Sequence, residues 1–248
     1  MSSPPEAGRS GIQVIRRAAR ILDAVGAHNG AMRLADLDDE VQLAKTTTHR
    51  IVSALAEERL LRIDPDGRVW LGSALCALAG TAASGLVEQL RPVLVELQRQ
   101  VDETVDLSVL ESDAVRFVDQ VQSTQVLRVV SAVGAAFPLH CTANGKAFLA
   151  ALPRETVDRL LARAMERFTP TTVTSKADLL EELARIRTTG VAFDREEHTV
   201  GIAAVGAVVT RDGAPVAAIS IPVPAERFAA REAQLVRHLR TACESAST

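Results

Sequence analysis

Two groups of side chains in this chain are of types and spacings that could do chemistry. The first is Lys45-Thr46-Thr47-Thr48-His49-Arg50, which reads as a helix whose opening turn is crowded with small hydroxyls and cations, followed by an apolar stripe through Leu55, Leu60 and Leu61. A helix start presents unpaired N–H groups and the positive end of a dipole, which suits a phosphate. Lys45 and Thr46 are placed to touch a nucleic-acid backbone, while Thr47, His49 and Arg50 point toward base edges; a threonine methyl suits thymine and arginine reads guanine. The bland alternative is that the threonines cap a surface helix and Arg50 pairs with an acid. On these six residues alone both readings stand.

The second group is His140, Cys141, Asp194, Glu196, Glu197 and His198, which would serve a Cys–His nucleophile or a metal site. Thiol catalysis needs the base within reach, but neighbours on a strand point to opposite faces, so His140 does not naturally serve Cys141. No H-E-x-x-H or equivalent ligand spacing is present. We expect no catalytic residues, no cofactor and no structural metal; His140 or His198 with a carboxylate is the one place for an accessory zinc. Glu196 and Glu197 read as surface or structural carboxylates, and Lys146 as the partner of an acid.

Elements must position the first group. Leu60–Ile63 and Arg68–Leu71 read as short strands flanking Asp64-Pro65-Asp66-Gly67, and Asp-Gly between apolar runs is a strong hairpin signal. Ile12, Ile15, Ala19, Leu22 and Val25 recur at helical spacing, with a stop at Ala27-His28-Asn29-Gly30. Leu34–Val41 forms a second helix, Gln42-Leu43-Ala44 the turn, and Lys45 to about Arg59 a third. Three helices and a hairpin are the winged helix-turn-helix pattern, with Arg68 beside the wing turn as a phosphate or minor-groove contact and Arg17 as a further backbone contact.

The 248 residues carry a net charge of -3, so the whole chain extends no general invitation to nucleic acid. Residues 1–72 hold ten Lys/Arg and ten Asp/Glu; what DNA needs is a local basic face, and Arg9, Arg16, Arg17, Arg20 and Arg33 share a segment whose only acid is Asp23. No apolar run is long enough to span a membrane. The N-terminus lacks an apolar signal region, and Cys76, Cys141 and Cys243 form no disulfide or zinc pattern. A cytoplasmic protein is expected.

Beyond Ser73 a helical pattern poor in charge runs to about Gln100, interrupted at Gly80 and Gly85, with Pro92 near the start of a second stretch, Val93–Val101. It reads as a linker helix packed against a partner subunit. After Asp102 the period changes: Val105, Leu107 and Val109 alternate, Val115, Phe117 and Val118 follow a turn, and Val126–Val130 is a third strand-like run. Helices are expected at Asn144–Leu152, Arg154–Arg167 and Lys176–Thr188, strands at Ile202–Val209 and Val216–Ile221, and a closing helix from Ala225 to about Ala242. The pattern is α+β with an antiparallel sheet. The implied division is a flexible tail at 1–9, a winged helix-turn-helix domain at 10–72, a linker and dimerisation helix at 73–90, and a second domain at 91–248.

In that order, with Arg17-Ala18, Thr46-Thr47-Thr48-His49-Arg50, Pro138-Leu139-His140-Cys141-Thr142-Ala143-Asn144-Gly145-Lys146-Ala147, Phe193-Asp194-Arg195-Glu196-Glu197-His198-Thr199-Val200-Gly201-Ile202 and Ala218-Ile219-Ser220-Ile221, the chain resembles the IclR family of bacterial transcriptional regulators over about residues 10 to 240. The resemblance implies a dimer or dimer of dimers on double-stranded operator DNA near catabolic genes, more often a repressor than an activator. It also implies a GAF-like C-terminal domain, a curved antiparallel sheet flanked by helices, that holds a small organic acid.

By the same resemblance, Ala143 and Asn144 would offer backbone donors to the effector, Asp194 and Ser220 would line its pocket, and Val126, Val129, Phe137 and Ile202 would form the apolar wall. The position of Ala204 is polar in the best-studied members, and that of Pro222 can be serine. The loss of both polar groups points to a larger, flatter acid, such as an aromatic carboxylate.

Overall fold

The computed structural model describes residues 7–28 and 32–247. The chain divides into two compact units, one up to Ser84 and one from Gly85 on. The first contains α1 (Ala7–Ala27), β1 (Met32–Arg33), α2 (Leu34–Val41), α3 (Lys45–Glu57), β2 (Leu61–Ile63) and β3 (Arg68–Leu71). Its three strands pair antiparallel in the order β1-β3-β2. Ile21, Val25, Leu37, Val41, Val52, Leu61 and Val69 fill one core.

The face of α1 differs from the expected stripe. Ile21 and Val25 are fully buried, with Ala18 and Leu22 packed beside them, while Ile15 is 72% exposed. Both sets recur at helical spacing; the packing of α2 and α3 selects the one that includes Ile21. The side chain of Ile12, the Asn29-Gly30 stop and residues 1–6 of the expected tail lie outside the described residues, and the rest of that tail, from Ala7, is helical. The sequence also gave no sign of β1.

Gln42 takes a left-handed conformation (φ 52°) at the end of α2. The Arg20 guanidinium donates to the Val41 carbonyl at 2.8 Å. That bond satisfies one of the carbonyls a helix end leaves open and ties α1 to the turn that aims α3.

α4 (Ser73–Val101) is a single helix that Gly80 and Gly85 do not interrupt, and Pro92 lies inside it rather than near a start. Pro92 is exposed, so water can reach the carbonyl whose hydrogen bond the proline removes. The second unit continues with β4 (Val105–Glu111), β5 (Ala114–Val121), β6 (Ala136–Pro138), α5 (Ala143–Ala151), α6 (Arg154–Leu160), α7 (Lys176–Thr189), β7 (Ala192–Arg195), β8 (Ile202–Arg211), β9 (Ala214–Pro224) and α8 (Ala225–Ala246). The sheet is antiparallel throughout, in the order β6-β5-β4-β9-β8-β7. The expected α+β class holds.

Two further expectations are corrected, and one strand is added. Val126–Val130 is not a strand: the edge of β5 is taken by β6, with Val115 opposite Phe137, and the apolar run finds no ladder. The helix from Arg154 ends at Leu160, where the Ala162 N–H bonds back to the Arg159 carbonyl and tightens the last turn. β7, not anticipated, pairs with β8 at the sheet's far edge.

The sheet separates two cores. Alternate residues Val105, Leu107, Val205, Ala207, Ile219 and Ile221 pack with Leu90, Leu94 and Leu97 of α4 and Leu235 and Leu239 of α8. The opposite face meets Phe148 and Leu149 of α5 and Leu179 and Leu183 of α7. The period of two in a strand therefore sends Asp106, Ser108, Ala204, Gly206 and Ser220 toward α5.

Candidate functional site

In the first unit α3 begins without a side-chain cap, because residue 44 is alanine. The Ala44 carbonyl accepts from Thr47 N at 2.7 Å and Thr48 N at 3.1 Å. The N–H groups of Lys45 and Thr46 stay open toward solvent, as a helix start requires in the absence of a cap. Lys45, Thr46, His49 and Arg50 are exposed and Thr47 is half-buried, whereas Thr48 is fully buried. His49 Nε2 lies 3.9 Å from Asp38 Oδ2 on α2, so His49 faces its own domain as well as solvent.

The wing is stapled by one carboxylate. Asp64 Oδ1 accepts from the backbone N–H groups of Asp66 (3.0 Å) and Arg68 (2.9 Å), and Oδ2 accepts from Trp70 Nε1 at 2.9 Å. The Trp70 bond, followed by the Arg68 N–H, holds the Asp64 carboxyl below its ordinary pKa. Gly67 supplies the positive φ of 73° that the turn needs. Arg68 is exposed at the turn, and Arg62 lies over the Trp70 ring at 5.2 Å. Arg62 was not singled out in the sequence, and Arg33 was counted in the basic segment but not placed beside the wing; register is the missing information, because β1 brings Arg33 directly opposite Arg68. Arg17 is half-buried on α1.

The second unit encloses a cavity of about 290 Å³ in front of α5. It is lined by Ala143 and Asn144 of α5, Asp194 of β7, Ile202 and Ala204 of β8, Ser220 of β9, and Val129 and Phe137. Of the nine residues expected there, Val126 alone is excluded: it is fully exposed and does not line the cavity. Its segment is tied down elsewhere, with Thr104 Oγ1 donating to the Val129 carbonyl at 2.6 Å and Arg227 to the Leu127 carbonyl at 2.9 Å. Val126 itself points to solvent, so the family's wall position is not filled by that side chain. Asp106, Phe117, Ser131 and His198 also line the cavity and were not anticipated there. Alternation contained the signal for Asp106, since it sits between Val105 and Leu107.

Two glycines let α5 approach. A Cβ on Gly206 would lie 2.9 Å from the Ala143 backbone, and one on Gly145 would lie 2.4 Å from the Leu139 carbonyl oxygen. Thr142 caps α5 by accepting from Gly145 N at 3.1 Å. Asn144 Nδ2 donates to Ser108 Oγ at 2.7 Å, which locks the helix start onto β4.

The cavity is acidic. Burial pushes the Asp194 carboxyl up to about 7, opposed by the backbone N–H of Glu197, which donates to Oδ1 at 2.7 Å. Burial likewise raises Asp106 to about 6, although Ser131 Oγ (2.5 Å) and Gln120 Nε2 (2.7 Å) both donate to it. Burial lowers the His198 pKa, with His140 adding to the effect.

Behind the cavity, the fully buried Lys146 ammonium is 2.6 Å from both Glu182 Oε1 and Glu197 Oε1. Lys146 thus pairs with acids as expected, and Glu197 is structural. Burial, then the Asp194 and Glu197 carboxylates, push the Cys141 thiol up to about 12. A thiol so raised is a poor nucleophile. His140 Nε2 is spent on the Glu166 carbonyl at 2.9 Å.

The comparisons with known proteins fit this geometry. The model of the IclR helix-turn-helix domain matches residues 14–65, and that of the bacterial transcriptional regulator IclR C-terminal domain matches residues 80–248. The chain belongs to the IclR family. An HTH-type transcriptional regulator of Mycobacterium tuberculosis is 48% identical, covering 95% of this chain and 92% of its own length. The regulator TtgV of Pseudomonas putida is 39% identical, covering 77% of this chain and 74% of its own length. The transcriptional repressor IclR of Escherichia coli is 31% identical, covering 92% and 85%.

Among solved structures, an IclR homologue of Microbacterium hydrocarbonoxydans complexed with 4-hydroxybenzoate superposes with a TM-score of 0.63 at 24% identity, over 94% of this chain and 97% of its own. As an IclR-type chain, the protein is a transcription regulator whose helix-turn-helix unit binds DNA. Among the described residues no helix is long and apolar enough to cross a membrane.

Proposed function

We propose that this IclR-type regulator is a repressor whose DNA affinity is controlled by a small organic effector in the cavity before α5. The observation that carries the DNA half is the uncapped start of α3, with Lys45, Thr46, His49 and Arg50 exposed on it. Lys45, Thr46, Arg17 and Arg68 serve as backbone contacts, and Thr47, His49 and Arg50 as base readers; residues 10–72 are the DNA-binding domain, 73–90 the linker and 91–248 the effector domain. Repression is supported by the name of the Escherichia coli relative.

An organic acid is the class that family resemblance implies, and the start of α5 supplies N–H donors for its head. An aromatic body is supported by Phe117, Phe137 and His198 around the cavity and by the 4-hydroxybenzoate held by the Microbacterium homologue. Self-association is supported by α4, where Leu78 is 60% exposed between the exposed Ala77 and Ala79. The molecule is then a cytoplasmic dimer or dimer of dimers without enzymatic activity or cofactor. Effector binding shifts it between arrangements only if the effector prefers one of them, and paired half-sites a whole turn apart make DNA binding sensitive to such a shift.

The test is a gel shift with the DNA upstream of the protein's own gene, paired with transcription in vitro from that promoter. A retarded band and reduced transcript are expected. No retarded band overturns the DNA reading, and a raised transcript makes the protein an activator.

A further inference from the structure

The polar chemistry of the cavity does not match a carboxylate. Among the described residues no lysine or arginine lines it, whereas two buried carboxyls, Asp106 and Asp194, do. They stand at opposite ends, on β4 and β7, with β9 and β8 between them in the sheet. Lys146, the buried cation behind the cavity, has its ammonium committed to Glu182 and Glu197. An acid entering here would meet the partial positive charge of the α5 start and the neutral donors Ser220 and His198, but no full positive charge. It would also face two carboxyls that carry its own sign when ionised, in a poorly solvated space.

The open bonding positions call for a group that both donates and accepts. Asp194 Oδ1 is taken by the N–H groups of Glu197 (2.7 Å) and His198 (3.4 Å), while no described donor reaches Oδ2. At the α5 start, Thr142 Oγ1 satisfies Gly145 N and the Thr142 carbonyl satisfies Lys146 N, which leaves the Ala143 and Asn144 N–H groups as donors. A hydroxyl accepts from such an N–H and donates to a carboxylate at once; a carboxylate only accepts.

The walls suit a flat ring. Phe137 meets Phe117 edge-on at 4.9 Å and His198 at 5.0 Å. Ala204 and Pro222, direct partners across β8 and β9, present an apolar strip where a second polar head would otherwise be held.

We infer that the cavity is built for an uncharged, hydroxyl-bearing aromatic molecule, a phenol rather than a carboxylic acid, with its hydroxyl between the α5 start and Asp194. This rests on reading the cavity as the effector site. A second hydroxyl at the other end of the ring system would meet Asp106.

Calorimetric titration of the full chain at pH 7.5 with matched phenol and carboxylate pairs tests it: 4-ethylphenol against 4-ethylbenzoate, and 2-naphthol against 2-naphthoate. The phenol of at least one pair should bind about tenfold more tightly or better, the scale of one hydrogen bond to a charged group. Asp194→Asn should remove most of that preference, weakening the phenol and strengthening the acid, with the variant's melting curve reporting that it folds. Acids binding as tightly as phenols in wild type, or an unchanged preference in Asp194→Asn, overturns the inference, as does the failure of every phenol to bind. The effector-site reading fails separately if ligands that bind wild type bind Ala204→Phe equally well, because that side chain fills the cavity.

Discussion

Arg33 on β1 and Arg68 on β3 are direct partners across the antiparallel pair of the small sheet. Like charges placed opposite one another cost a few tenths of a kcal/mol to about 1 kcal/mol, and among the described residues neither guanidinium has an acidic partner. A phosphate bound between the two would offset that repulsion.

Arg33→Ala and Arg68→Ala should each weaken DNA binding and reduce the slope of log affinity against log salt by about 1, the value of one phosphate contact. Each should leave the melting temperature of the protein unchanged or slightly higher. A drop in stability with no change in the slope would make the pair structural.

Asp64 organises the wing through three hydrogen bonds, one of them from Trp70, the single tryptophan of the chain. Asp64→Ala should shift Trp70 fluorescence to longer wavelength and lower DNA affinity several-fold. The α1–α3 core, to which Asp64 contributes nothing, should melt as before. An unshifted emission spectrum would contradict this.

Gly145 and Gly206 let the start of α5 rest on its neighbours, and a methyl on either enters backbone atoms closer than 3.0 Å. Gly145→Ala should destabilise the second unit by about 2–4 kcal/mol, in the range of severe overpacking, as measured by urea unfolding. Gly206→Ala should act less on stability, since its contacts include the Ala143 and Asn144 side chains, and more on effector affinity.

The parts of this architecture that rest on local chemistry were legible in the sequence. The α3 start and the wing turn at Asp66-Gly67 each depend on neighbours in the chain. What rests on pairing was not. The apolar run Val126–Val130 looks like a strand until β6 occupies the edge of β5, and four-residue β7 carries too few alternations to stand out. Asp106 hid inside an apolar strand because which face meets the cavity depends on the packing of α4, α5 and α8. Ile15 was assigned to a core that Ile21 fills.

Asp194 and Asp106 give the second unit a pH signature. Both carboxyls are raised, to about 7 and about 6, mainly by burial. The folded state therefore holds protons that the unfolded chain releases near pH 4, so the stability they contribute is present below about pH 4 and is lost as pH rises toward 7. Asp194→Asn should flatten the fall in melting temperature between pH 5 and 7.5. An unaltered pH profile would show that Asp194 is ionised throughout that window.

The central claim, that this chain is a DNA-binding regulator reading its operator with the start of α3, is tested most directly by a salt titration. Fluorescence anisotropy of the full chain on its own upstream DNA should show log affinity falling linearly with log salt, with a shallower slope for Lys45→Ala and lost sequence preference for Arg50→Ala. Binding that is absent, insensitive to salt, or unchanged in both variants would contradict it.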